Sequence, residues 1–228
     1  MSIFCLADLH LSLSVDKPMD IFRGWDNYVE KLEENWKKII TDDDIVVIPG
    51  DISWALKLEE TLADFKFIAS LPGKKFIIKG NHDLWWNSVT KMNNFLKENN
   101  IHSISFIYNS AEKIGDFAIC GSRGWFFDDD SHSKKIITRE AARLERSILA
   151  AKELDAEPLV FLHYPAVWNG QVCDEILDVL NRYEIKEVWH GHIHGCRENP
   201  QYSDDVNIKF HLTSCDYLKF MPILVKKF

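Results

Sequence analysis

Six short apolar segments are the feature of this sequence that most restricts the fold. They are SIFCLA (2–7), IVVI (45–48), KFIIK (75–79), FAICG (117–121), LVFLH (159–163) and EVWH (187–190). Several are apolar at consecutive positions, a pattern typical of strands that are buried on both faces. Between them, apolar residues recur at helical spacing, as in Leu58, Leu62, Phe65 and Ile68. This alternation predicts a layered α/β fold.

Local signals place some of the helix boundaries, and the chain length indicates the number of domains. Pro72 and Gly73 are expected to end one helix, and Ser88 and Asp174 are expected to be the N-caps of two others. The tail from about 206 to 228 is again strand-like. Since 228 residues suit one α/β domain, and no internal repeat or linker is visible, we expect a single domain over 1–228.

Charge and cysteine content narrow the class of partner and the compartment. The formal net charge of −8 disfavours binding to duplex nucleic acid or an anionic membrane, although bound metal cations could still admit a phosphate substrate. The five cysteines are odd in number and form no CxxC motif, which favours a reduced, cytoplasmic protein. No signal peptide, membrane span or obligate protein partner is evident in the sequence.

Polar clusters follow five of the predicted strands at their carboxyl ends, the edge at which open α/β sheets bind ligands. The clusters are Asp8-Leu9-His10, Gly50-Asp51, Gly80-Asn81-His82-Asp83, His163, and His190 to His194. In an extended chain, side chains two residues apart point the same way, so each D-x-H or H-x-H pair could face one ion. Three glycines, at 50, 80 and 191, are expected where the backbone turns sharply or approaches an ion closely.

The residue types in these clusters predict a transition-metal site. Carboxylate, imidazole and amide oxygen together suit Mn²⁺, iron or Zn²⁺, whereas a site for magnesium alone would contain fewer histidines. His190 lies outside the pairs and is expected to have a structural or supporting role. Cys196 is expected not to be a ligand, and Asp128 to Asp130 are either a solvated turn or the border of the site.

The clusters resemble the signature of the calcineurin-like metallophosphoesterase family, which runs D-x-H, G-D, G-N-H-[DE], a lone H and G-H-x-H. The counterparts in this sequence, in the same order, are DLH (8–10), PGD (49–51), GNHD (80–83), LHYP (162–165) and GHIH (191–194). The resemblance implies a four-layer α/β/β/α sandwich with two mixed β-sheets. It also implies a dinuclear metal phosphohydrolase that cleaves a small phosphodiester or phosphomonoester.

The resemblance further implies a role for each matched residue. The first metal would be held by Asp8, His10, Asp51 and His194, and the second by Asp51, Asn81, His163 and His192. The Asp51 carboxylate would bridge the two ions, and a hydroxide between them would be the nucleophile. His82 would stabilise the phosphoryl oxygen or protonate the leaving alkoxide, and Asp83 would orient the His82 ring by a hydrogen bond.

Substrate recognition rests on weaker signals. Trp54, Trp86 and Trp168 follow site motifs, so they are candidates for an aromatic wall beside the metals, with core packing as the alternative. Arg123 is a candidate clamp for a substrate phosphate. The long loop 11–27 could be a lid or rim over the site, or a packed surface loop.

Two other functions fit parts of the pattern. The first is a catalytically inactive binding or scaffold module with the same fold, which would be expected to lack some ligands or His82. The second is a metal-dependent amidohydrolase, which would place its H-x-H near the first strand. Here D-x-H comes first and H-x-H last, which argues against the amidohydrolase.

Overall fold

The computed structural model describes residues 1–125, 134–202 and 206–228. Asp128 to Asp130, which the sequence suggested as a border of the site, lie outside these ranges. Twelve strands are found in the described residues: β1 (Ser2–Cys5), β2 (Ile45–Pro49), β3 (Lys74–Ile78), β4 (Ile104–Phe106), β5 (Ala111–Ile114), β6 (Phe117–Ser122), β7 (Glu157–Leu162), β8 (Val167–Trp168), β9 (Gln171–Val172), β10 (Glu187–His190), β11 (Lys209–Leu212) and β12 (Ile223–Lys227).

Ten of these strands form two five-stranded sheets, and β8 and β9 pair with each other as a small hairpin. The first sheet has the order β12-β1-β2-β3-β4, with β12 antiparallel to β1 and the remaining pairs parallel. The second has the order β11-β10-β7-β6-β5, with β5 antiparallel to β6 and the remaining pairs parallel. Both sheets are therefore mixed, as predicted.

Five α-helices are found in the described residues: α1 (Tyr28–Ile39), α2 (Leu62–Ser70), α3 (Val89–Glu98), α4 (Lys134–Glu153) and α5 (Asp174–Arg182). A 3₁₀ turn, Leu58–Thr61, precedes α2. The Ser88 side chain accepts from the Lys91 backbone N–H at 3.3 Å, so its predicted N-cap role is confirmed. The N-cap prediction for Asp174 is wrong by one position, because Cys173 is the cap residue and Asp174 begins α5.

The alternation of side chains along the strands builds the predicted four layers. In β2, Ile45 and Val47 pack between the two sheets, while Val46 and Ile48 pack in the core that contains residues of α1, α2 and α3. In β7, Phe161 faces the first sheet and its neighbours Val160 and Leu162 pack with residues of α4 and α5. Each fully buried aliphatic or aromatic side chain contributes about 1.5–3 kcal/mol, so both faces of each sheet stabilise the sandwich.

This arrangement brings the loops that carry the polar clusters to one edge of the sandwich. Asp8 donates its backbone N–H to the Gly50 carbonyl at 3.0 Å, and His10 donates to the Asp51 carbonyl at 2.9 Å. In the second sheet, Gly191 donates to the His163 carbonyl at 3.1 Å. The loops are thus hydrogen-bonded to each other before any metal is considered. No helix of the described residues is long and apolar enough to cross a membrane.

Candidate metal centre

All seven predicted metal ligands lie together at this edge of the two sheets. Potential ligand atoms of Asp8, His10 and His194 lie within 4.8 Å of one another, and so do those of Asp8, Asp51 and His163. The Asp8 carboxylate also accepts from the His192 backbone N–H, at 3.1 and 2.9 Å to its two oxygens. Residues from both sheets therefore meet in one polar cluster.

Two imidazoles and an amide oxygen form the part of this cluster nearest β7. Asn81 Oδ1 lies 2.6 Å from His163 Nε2 and 3.2 Å from His192 Nδ1. On the other side, His10 Nε2 lies 3.0 Å from His194 Nε2. Two groups of neighbouring donor atoms are thus present.

Asp51 lies between the two groups. Its Oδ2 is 3.7 Å from His10 Nε2 and 3.5 Å from His163 Nε2. Its Oδ1 accepts from the His82 backbone N–H at 2.8 Å, which fixes the orientation of the carboxylate. The Asp51 carboxylate is thus within 4 Å of a histidine of each group.

The backbone brings these side chains together in a way that we did not predict. Asp8, His10, Asp51 and His192 have φ angles of 60, 47, 53 and 72°, in the left-handed region. The residues of D-x-H and H-x-H do converge, but not because the chain is extended there, so that part of the expectation was wrong. Aspartate and histidine are among the non-glycine residues that enter this region most readily.

Three glycines make room for the cluster, as predicted from the sequence. A Cβ on Gly50 would lie 2.5 Å from His163 Nδ1, and one on Gly191 would lie 2.6 Å from Asp8 Oδ2. A Cβ on Gly80 would collide with the Asp51 carboxylate. Gly50 also has a φ of +91°, which disfavours other residues. Side chains at these positions would displace predicted ligands.

The electrostatics of the cluster fit a cation. Burial raises the pKa of Asp8 to about 8 and that of Asp51 to about 6. Burial lowers the pKa of His163 to about 3 and holds that of His10 well below its usual range. Buried carboxyls and neutral imidazoles are the donor set of a transition-metal site, so the residues present fit divalent ions.

Asp83 has different partners from those we expected. Its Oδ2 accepts from the backbone N–H groups of Gly80 (2.7 Å) and Asp51 (3.0 Å). Its Oδ1 accepts from Ile52 N–H (2.9 Å) and Trp85 Nε1 (3.1 Å), and these bonds do not involve the His82 ring. The expected orienting bond to His82 is thus replaced by bonds that hold the loop carrying Asp51.

His82 and His194 are the exposed histidines of the cluster, and of the two only His82 was not predicted to bind metal. The His82 ring centroid lies 5.6 Å from that of His10 and 4.5 Å from the ring of Trp54. Because its backbone N–H is bound to Asp51, the side chain is held beside the predicted metal ligands while its ring faces solvent. It is placed to contact a bound molecule.

Asp216 is a site residue that the sequence analysis missed. Its carboxylate accepts from the backbone N–H of Gly195 at 2.8 Å and lies 3.0 Å from His194 Nδ1. Burial lowers the pKa of His194, but the bond to Asp216 and the charge of Asp8 outweigh this effect and raise it to about 9. Asp216 belongs to the strand-like tail and no predicted motif includes it, so only the folded chain reveals it.

His190, expected to be structural or supporting, is fully buried and lies outside the donor groups. Its Nε2 is 2.8 Å from the Tyr202 hydroxyl, and its Nδ1 is 3.0 Å from the Gly191 carbonyl. These bonds tie β10 to the segment around Tyr202. Cys196 Sγ points to the Glu198 carbonyl at 3.2 Å rather than to the cluster.

A cavity of about 420 Å³ opens beside the cluster. It is lined by His10, Met19, Phe22, Arg23, Trp25, Trp54, His82, His194, Gly195, Arg197 and Asp216. Of the three tryptophans predicted to form an aromatic wall, it contains only Trp54. We call this space the active-site cavity.

Trp86, Trp168 and Arg123 are placed elsewhere. Trp86 packs against Phe106, with 5.4 Å between ring centroids, and Trp168 packs against Tyr202 at 5.8 Å. The Arg123 guanidinium lies 3.2 Å from buried Glu140 and does not line the active-site cavity. Core packing, the alternative for these tryptophans, describes Trp86 and Trp168 better than the aromatic wall does.

The loop 11–27 forms one wall of the active-site cavity. Its first residues are fixed, because Trp54 donates its backbone N–H to the Leu11 carbonyl at 2.9 Å and Leu13 donates to Asp64 at 2.9 Å. Its later residues supply Met19, Phe22, Arg23 and Trp25 to the lining. Of the alternatives, the loop is a rim that is anchored at its base.

Comparisons with known proteins agree with this geometry. Residues 1–196 match the family described as calcineurin-like phosphoesterase. Similar solved structures include AQ665 of Aquifex aeolicus, a protein of unknown function, at 16% identity and a TM-score of 0.53, covering 98% of this chain and 95% of that one. Phosphopantetheinyl hydrolase of Mycobacterium tuberculosis is 15% identical, with a TM-score of 0.52 and the same coverage of both chains.

TT1561 of Thermus thermophilus is 12% identical with a TM-score of 0.59, covering 98% of this chain and 97% of that one. At these identities the structural likeness concerns the fold. No curated protein matches the sequence significantly.

Proposed function

The chain belongs to the calcineurin-like phosphoesterase family, and on that premise we propose that it is a dinuclear metal-dependent phosphohydrolase that cleaves a phosphodiester or a phosphomonoester. The observation that carries the proposal is the position of Asp51. Its Oδ2 lies 3.5–3.7 Å from a histidine of each donor group, and the exposed His82 ring lies beside the same cluster.

Asp8, His10, Asp51 and His194 would hold one ion, and Asp51, Asn81, His163 and His192 the other. Mn²⁺, iron or Zn²⁺ suits this mixture of imidazole, carboxylate and amide oxygen. When bound, such ions would supply Lewis-acid stabilisation of the phosphoryl oxygens and a water nucleophile at neutral pH. The unpaired state of all five cysteines supports the further proposal of a cytoplasmic location.

His82 would act on the substrate directly. Its ring lines the active-site cavity and is not buried, so it can reach an oxygen of a bound phosphoryl group. There it would donate a hydrogen bond to that oxygen or a proton to the leaving alkoxide. The Trp54 ring, 4.8 Å from His10 and 4.5 Å from His82, would hold both imidazoles in place.

Asp83 would act through the loops that it holds and would not contact the substrate. Its bonds to Gly80, Asp51 and Ile52 join the two loops that carry Asn81 and Asp51. Asp83 would therefore hold ligands of both groups at a fixed separation.

The test combines metal analysis with kinetics. Purified protein is expected to contain close to two transition-metal ions per chain by mass spectrometry, and to hydrolyse bis-p-nitrophenyl phosphate or p-nitrophenyl phosphate with added Mn²⁺. A His82→Ala variant is expected to retain metal and to lose about 10²–10⁴-fold in kcat on an alkyl ester. The loss should be smaller on a p-nitrophenyl ester, whose leaving group needs no proton.

An Asp51→Asn variant serves as the second probe, because it should lose metal as well as activity. Absence of bound metal and of turnover with every divalent ion would instead favour the inactive scaffold module. Full activity of His82→Ala on the alkyl ester would exclude the acid role of His82.

A further inference from the structure

The active-site cavity has a lining that the hydrolysis of a phosphoryl group does not itself require. The proposed catalytic and metal-binding residues His10, His82 and His194 line one side of it. An ester whose phosphoryl group lies at these histidines would extend its alcohol part into the rest of the cavity, whose total volume is about 420 Å³. This volume is within the range of about 300–1,000 Å³ that small-molecule sites have.

We propose that this cavity selects an ester whose alcohol part combines an apolar ring or chain with a second anionic group. This inference rests on the proposed function, since it concerns the substrate of that reaction. The class includes nucleotide-like esters, in which a flat base and a further phosphate are joined to one alcohol.

The apolar part of the proposal comes from the apolar wall that adjoins the histidines. Met19, Phe22, Trp25 and Trp54 all contribute to it. Phe22 is 50% exposed although it lines a cavity, so its ring has apolar surface that a bound molecule would cover. Burial of such surface is favourable by about 25 cal/mol per Å².

Trp54 differs from Phe22 in that its ring is already packed against other side chains. Its ring is stacked on His10, and Lys17 Nζ lies 4.5 Å from its centroid. Trp25 is buried against Phe220, at 5.2 Å between centroids. The two tryptophans therefore fix the shape of the wall, and Phe22 is the ring that remains available for contact.

The anionic part of the proposal comes from two arginines on different loops. Arg23 and Arg197 both line the cavity and are exposed. Neither forms an ion pair within 4.0 Å among the described residues. Asp216, the acidic residue of the lining, is bound to Gly195 and His194. Two free guanidinium groups beside an apolar wall fit an anionic group that is separate from the reacting phosphoryl group.

The test measures substrate preference in whichever ester class the protein turns over. Three alkyl esters are compared: ethyl, 2-naphthylmethyl and 2-naphthylmethyl with a carboxylate on the distal ring. The released alcohol is quantified by chromatography. The wild type is expected to prefer naphthylmethyl over ethyl, and the carboxylated ester over both, in kcat/KM.

The variants separate the two parts of the proposal. Phe22→Ala should reduce the naphthylmethyl preference about tenfold, through KM. Its control is Ile21→Ala, because Ile21 is 72% exposed in the same loop but does not line the cavity. Arg23→Gln and Arg197→Gln should each reduce the preference for the carboxylated ester about tenfold, while Arg146→Gln on the exposed face of α4 should change neither preference.

Unchanged preferences in Phe22→Ala and in both arginine variants, with hydrolysis intact, would overturn this proposal and leave the proposed function standing. Binding of the non-hydrolysable 2-naphthylmethylphosphonate, followed by tryptophan fluorescence, gives an independent measurement. If no ester is hydrolysed but this phosphonate binds the wild type more tightly than Phe22→Ala, the cavity proposal stands and the proposed function fails. Equal weak binding to both would overturn the cavity proposal.

Discussion

Gly191→Ala is the substitution that most directly tests how the fold holds its predicted ligands. A Cβ at this position would lie 2.6 Å from Asp8 Oδ2 and 2.7 Å from the Ala7 Cβ. Its φ is outside the left-handed region, so alanine would add a methyl group without backbone strain. The added methyl group would thus displace Asp8, a predicted ligand, together with the neighbouring Ala7.

The size of the effect follows from these distances. Ordinary van der Waals contact begins at 3.4 Å. The Asp8 carboxylate, or the backbone segment that carries Ala7 and Asp8, must therefore move by about 0.8 Å. Metal–ligand distances tolerate only about 0.2 Å, and a misplacement near 1 Å costs about 10²-fold in rate. Overpacking itself should cost about 1–3 kcal/mol of unfolding free energy, or about 2–4 °C in Tm for each kcal/mol.

The assay measures three quantities in parallel: Tm with excess chelator, Mn²⁺ affinity by competition with a chromogenic chelator, and kcat/KM. Gly191→Ala is expected to lose at least tenfold in metal affinity and about 10²-fold in activity. Gly73→Ala is the matched control for destabilisation, because its Cβ would lie 2.8 Å from the Asp44 carbonyl, outside the site. Gly170→Ala controls for positive φ alone, since nothing lies within 4 Å of its Cβ.

Gly73→Ala should lower Tm with metal affinity unchanged, and Gly170→Ala should have a small effect on Tm and none on activity. If Gly191→Ala lowers Tm as Gly73→Ala does but keeps its metal affinity, the steric reasoning about Asp8 is refuted. Wild-type values in all three measurements would refute the distances themselves.

Three further predictions follow from the site. Asp216→Asn should lower metal affinity about 10–100-fold at unchanged Tm in chelator, because the carboxylate orients His194; an unchanged competition curve would contradict this. Trp86→Ala should lower the free energy of unfolding in denaturant by about 3 kcal/mol, because the ring packs on Phe106, and should leave KM unchanged. A raised KM would instead show that Trp86 contacts the substrate. Metal binding at pH 7 should release protons, because the raised pKa values of Asp8 (about 8) and His194 (about 9) keep both protonated without metal while bound ligands must be deprotonated. Affinity should then rise from pH 6 to 9, and calorimetry in buffers of different ionisation enthalpy should detect the protons.

The sequence predicted the parts of the fold that are buried on both faces. Strands β2, β3, β6, β7 and β10 lie where consecutive apolar residues indicated them. Strands β4 and β5 were not predicted, because β4 has only three residues and β5 (Ala111–Ile114) has two adjacent charged residues among its four and lies at a sheet edge. Short edge strands depend on pairing with a neighbour, which local sequence does not encode.

The convergence of the ligand clusters was also predictable, because the carboxyl ends of parallel strands share one edge. The partners of Asp83 were not, since a carboxylate beside His82 in sequence is bound to backbone N–H groups of two loops instead. Asp216 and Phe22 were not predicted as site residues for a similar reason, because both belong to segments that are distant in sequence from the motifs and fold against the site. The sequence motifs predicted which residues are candidate ligands, and tertiary packing determines which residues support them.

The left-handed backbone at Asp8, His10, Asp51 and His192 has a consequence for how this site can change. Residues held in this region cost about 1–3 kcal/mol each, and aspartate, asparagine and histidine tolerate it best. A replacement such as Asp8→Glu could keep the carboxylate but would meet a backbone that favours the shorter side chain. The residue types at these positions are therefore constrained both by coordination chemistry and by backbone conformation. A change of metal specificity would require the conformation of these loops to change together with the candidate ligands.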